Sequence, residues 1–69
     1  MNELQARYKT LTARERQVMK LVVKGMMNKE VAAELGTHYT TVKAQRGRTM
    51  RKMQAESFAD LVCMARRLE

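Results

Sequence analysis

At 69 residues the chain is one domain near the lower size limit for an independent core, burying roughly 60% of its unfolded surface, which leaves marginal stability and little room for an enzyme cleft. Its 14 Lys plus Arg against 7 Asp plus Glu give a net charge of +7, a surplus that favours a polyanionic partner through long-range attraction and counterion release. No apolar run approaches the roughly 20 residues that span a bilayer, the polar start MNELQARYK is not a signal peptide, and a lone Cys63 with a lone His38 can form neither an intrachain disulfide nor, without further ligands, a zinc site, so the chain reads as cytoplasmic, without metal or cofactor, and not an enzyme.

Residues 1–10 are expected to be an N-terminal linker or an expression remnant, with the domain proper spanning 11–67. With no proline and only Gly25, Gly36 and Gly47 as breakers, that domain should be all-α, a compact four-helix unit. Thr12-Ala13-Arg14-Glu15 is a capping box that opens the first helix. Val18, Leu21 and Val22 form its inward stripe, with Met19 beside it, while Arg14, Arg16, Lys20 and Lys24 stay in water. Gly25 ends it in the left-handed conformation. Asn28 caps a short second helix with Val31, Ala32 and Leu35 inward and Glu30 and Glu34 outward, and Gly36 closes it. A turn through Thr37, His38 and Tyr39 leads into a third helix that starts near Tyr39 or Thr40 and runs to about Gln54. Ser57 caps a last helix whose apolar positions are Phe58, Leu61, Val62, Met64 and Ala65, a stripe wider than one small core requires. Cys63 reads as a buried or half-buried thiol, and the seven methionines as flexible core filler.

The third helix carries five basic side chains and no acidic one. At about 100° per residue, Val42, Arg46, Thr49, Met50 and Met53 fall on one side, and Lys43, Ala44, Gly47, Arg48 and Arg51 on the other. Long cations flanking small residues suit entry into the major groove of DNA, where Lys or Arg donates to guanine and an alanine methyl touches thymine. Gly47, costing about 1 kcal/mol relative to alanine inside a helix, points to close approach of the backbone; its alternative is a tolerated surface glycine. Thr40 and Thr41 at the start of this helix, and Asn28 and Lys29 at the start of the second, lie where free amides and the helix dipole attract phosphate. Each threonine can equally be a simple cap. Arg46 projects near the apolar side and can present its head to a phosphate, the preferred partner, or to Glu30 or Glu34. His38 reads as a turn residue or cap.

LTARERQVMKLVVKGMMNKEVAAELG followed by TTVKAQRGRTMRKM resembles the LuxR-type helix-turn-helix domain, and most closely the FixJ-like output domains of response regulators. The likeness runs from Leu11 to about Arg67. Its markers are Arg14-Glu15 after Thr12, the Gly25 stop, Asn28-Lys29-Glu30, Thr41-Val42-Lys43 and Lys52-Met53. The resemblance implies sequence-specific binding of double-stranded DNA, with the second and third helices as the reading unit. Base contacts map onto Lys43, Ala44 and Gly47, with Arg48 added from the basic face; backbone contacts map onto Asn28, Lys29, Thr40 and Thr41, joined by Arg46 and Arg51. It further implies a homodimer through the last helix, taken at Leu61, Met64 and Arg67, a receiver domain in the full-length protein, and RNA polymerase as a candidate partner. His38 stands where such domains commonly have serine, Gln45 where histidine is frequent, and Thr37 where an aliphatic residue is usual.

Two other readings compete. A sigma-factor promoter-recognition domain shares the LTxRE opening and the helix-turn-helix. A basic helical adaptor for a protein or an anionic membrane would instead use the apolar stripe between Phe58 and Met64.

Overall fold

The computed structural model describes residues 2–69, which form five α-helices and no strand. They are α1 (Glu3–Lys9), α2 (Ala13–Val23), α3 (Asn28–Leu35), α4 (Tyr39–Met53) and α5 (Phe58–Arg67). The start of α2 is the capping box in full. Thr12 Oγ1 accepts the Glu15 amide at 3.1 Å, and Glu15 Oε1 accepts the Thr12 amide at 2.9 Å. At α5 the Ser57 hydroxyl accepts the Asp60 amide at 3.0 Å.

Three helices end by one device. Past α2, the amides of Gly25 and Met26 turn back onto the Val22 and Leu21 carbonyls at 3.0 and 3.3 Å. The same closure joins Thr37 to Ala32 at 2.9 Å after α3, and Ala55 to Met50 at 3.0 Å after α4. Each needs one left-handed residue: Gly25 (φ +102°), Gly36 (φ +67°) and, without the freedom of glycine, Gln54 (φ +58°). α4 thus stops at Met53, with Gln54 already outside the helix.

The segment expected to be a linker is largely helical. The Asn2 and Gln5 side chains cap α1 reciprocally, Leu4 is buried, and Arg7 Nη1 donates to the Met53 carbonyl at 3.4 Å, at the carboxyl end of α4. Met1, also within that segment, lies outside the described residues. Seven residues are too few to be helical on their own; docking on the domain makes α1 stable.

The core draws on every helix: Leu4; Val18, Met19 and Val22; Val31 and Ala32; Val42 and Met53; Leu61 and Met64; with Leu11 ahead of α2. α4 packs chiefly against α2 and α3, so the reading unit expected of the second and third predicted helices is α3–turn–α4. Leu61 is fully buried and Met64 nearly so, which corrects their expected place in a dimer contact: these are the α5 residues that hold it to the domain. Cys63, expected buried or half-buried, is exposed.

Candidate nucleic-acid interface

Val42, Thr49 and Met53 point inward, and this orients the rest of α4. At 100° per residue, Lys43, Gly47, Arg51 and Ala44 span about 100° of arc on the outer side, Arg46 lies about 60° before Lys43, and Arg48 about 40° beyond Ala44. Lys43, Ala44 and Arg51 are exposed and Gly47 half-buried. Among the described residues no ion pair engages Lys43 or Arg51. A methyl group built on Gly47 would meet only Arg51 Nη1, at 3.6 Å, an ordinary contact. The protein's own packing therefore gives no reason for glycine there.

The two flanks of this face are tied to the domain by different chemistry. On one side the carboxylate of Glu15, 2% exposed, takes Lys52 Nζ at 2.8 Å on Oε1 and Arg48 Nε at 3.2 Å on Oε2. Burial alone would raise its pKa. The hydrogen bonds from Lys52, the Thr12 amide and Arg48, with the Lys52 charge, outweigh burial and hold it at about 2, below its ordinary 4.5. Arg48, expected to contact bases, thus donates its Nε to a buried carboxylate of α2 while its side chain stays 48% exposed. From the sequence alone Glu15 is only half of a cap. Its cationic partners lie 33 and 37 residues away, a pairing no local spacing reveals.

On the other side Arg46 Nη1 donates to Asn28 Oδ1 at 3.1 Å, and the guanidinium carbon sits 4.6 Å from the Phe58 ring centroid. Neither carboxylate considered for Arg46 is its partner; Glu30 instead accepts the Met27 amide at 2.8 Å. Met27 is accordingly the N-cap of α3 and Asn28 its first helical residue, so the capping role expected of Asn28 is replaced by a side-chain bond to α4. For Phe58 as a partner of Arg46 the only local signal in the sequence is an aromatic residue directly after the Ser57 cap.

Of the remaining expected contacts, Lys29 and Thr40 are exposed and Thr41 is half-buried. His38 has cap geometry at the start of α4 without a side-chain cap bond. Arg67 is exposed at the end of α5. Among the described residues no cluster of His, Cys, Asp or Glu could hold a metal ion, and no helix is long and apolar enough to cross a membrane. The arrangement is a convex, cationic helix face, braced from both sides, able to bind a polyanion in a groove.

Comparison with known proteins agrees with this geometry. The model of the bacterial regulatory proteins, luxR family, matches residues 9–65. The chain is 54% identical over 65 residues to nodulation protein W of Bradyrhizobium diazoefficiens, covering 94% of this chain and 29% of that protein. It is 45% identical over 64 residues to the transcriptional regulatory protein FixJ of Rhizobium meliloti, covering 93% of this chain and 31% of that protein. Among solved structures it superposes on the response regulator StyR with a TM-score of 0.92 at 40% identity, over 94% of this chain and 33% of that one. The chain thus spans about a third or less of the length of these relatives.

Proposed function

The chain belongs to the luxR family of bacterial regulatory proteins, as a DNA-binding domain, and from that premise we propose that it reads double-stranded DNA by laying α4 in the major groove, as the cytoplasmic output domain of a two-component response regulator. The observation that carries this reading is the outer face of α4: Lys43 and Arg51 are unpaired among the described residues, on either side of a glycine that the fold itself does not need. In this reading Lys43, Ala44 and Gly47 face base edges. Lys29, Thr40, Thr41, Arg46 and Arg51 face phosphates, where helix starts and cations are favourable. Asn28 acts through Arg46.

The names of FixJ and StyR, and the greater length of both, support a receiver domain in the full-length protein, for which RNA polymerase is a candidate partner. Pairing of two copies on inverted half-sites would use the outer side of α5, where Val62 and Ala65 are half-buried and Arg67 is exposed.

The test is a binding titration with a duplex selected from a random pool and with a scrambled duplex. Lys43→Ala should cost about 1–3 kcal/mol on the selected duplex and much less on the scrambled one. Lys29→Ala should weaken both about equally. Equal losses on the two duplexes from both substitutions would overturn this assignment of roles.

A further inference from the structure

We propose that Phe58 and Asn28 are positioning residues that hold the Arg46 guanidinium as a clamp for one phosphate beside the reading face. The inference rests on the major-groove placement of α4 and adds to it a part of the protein outside the helix-turn-helix, the first residue of α5. Arg46 leaves α4 about 60° from Lys43, near enough to the reading face to meet the rail of a groove that α4 occupies. Its two partners are neutral: the Asn28 amide oxygen at 3.1 Å and the Phe58 ring at 4.6 Å. They fix the plane of a side chain that is otherwise free to rotate, and they leave its positive charge uncompensated. On the opposite flank the cations meet a buried carboxylate instead. One edge of α4 is therefore neutralised internally, and the other is oriented but still charged.

The surroundings fit the same ligand. Among the described residues the exposed large apolar side chains are Met27 (62%), Tyr39 (47%) and Phe58 (38%). All three line one open cleft with Arg46, Lys29 and Asn28, where the α2–α3 loop meets the starts of α4 and α5. Apolar surface around two cations is complementary to a sugar-phosphate backbone, with deoxyribose against the apolar groups and a phosphate oxygen on the guanidinium.

The experiment is a salt series of duplex binding by the 69-residue protein, with thermal unfolding of each variant in parallel. Arg46→Ala should weaken selected and scrambled duplexes alike and lower the slope of log affinity against log salt by about 1. Phe58→Leu, which keeps an apolar side chain but removes the ring, should lower affinity about 3- to 10-fold, as expected for a lost cation–π contact. Phe58→Tyr should restore it, and Phe58→Leu should add nothing in the Arg46→Ala background. Asn28→Ala removes the other partner and should show the same dependence on Arg46, which keeps the test decisive if Phe58→Leu does not fold. Losses that are undiminished in the Arg46→Ala background, or wild-type affinity in both Phe58→Leu and Asn28→Ala, overturn the proposal. If Arg46→Ala binds normally while Lys43→Ala does not, the clamp fails and groove reading stands; if neither weakens binding, groove reading itself fails.

Discussion

Glu15 shows how much a single buried charge can organise. Its carboxylate closes the α2 cap and holds Arg48 and Lys52 of α4. Because its folded pKa, about 2, lies below the ordinary 4.5, the stability it contributes is fully present above about pH 4.5 and is lost as the pH falls toward 2. The shift corresponds to about 3 kcal/mol. Glu15→Gln should accordingly unfold at lower denaturant than the native protein at pH 7, and the difference should shrink on titration from pH 5 to 2. A difference that stays constant over that range, in urea unfolding followed by circular dichroism, would show that the ion pairs are not its source. Gly47 is the converse case, a residue that nothing inside the protein requires. Gly47→Ala should raise the unfolding midpoint by about 1 kcal/mol of added stability, since the new methyl group meets only the flexible end of Arg51, and should weaken duplex binding. A stabilised variant with native affinity in the same titration would remove the case for close backbone approach.

At the scale of elements, the starts of α2 and α5 and the stops of α2 and α3 were legible, and the start of α3 to within one residue, because caps, apolar stripes and left-handed closures act within a few residues of one another. The inward set on α4 followed for the same reason: Val42, Thr49 and Met53 are buried where helical spacing put them. α1 was not legible. Its one buried residue is Leu4, and a single apolar position makes no periodic pattern. The Arg7 bond to the α4 carboxyl end joins residues 46 apart in sequence. Leu4→Ala should destabilise the domain by about 2–3 kcal/mol, within the range for truncating a buried leucine; urea unfolding at the native midpoint unchanged by the substitution would mean that α1 contributes nothing. The αL turn at Gln54 has no signal in the sequence either, since glutamine carries none of the local preference for that conformation that marks Gly25 and Gly36.

For the whole molecule, a charge of +7 on 69 residues and a helix with five cations and no acid already pointed to DNA, and the match over residues 9–65 to the luxR family agrees. Composition and short-range spacing were enough for the fold class, the helix-turn-helix and the side of α4 that faces outward, because each depends on residues a few positions apart. Which cations on that helix have partners within the domain was decided only by packing. Glu15 engages Arg48 and Lys52 from across the core, Asn28 and Phe58 orient Arg46, and Leu61 and Met64 are buried in the domain. Coulombic and stacking contacts act through space with no fixed interval along the chain, so they appear only once the helices are placed against one another.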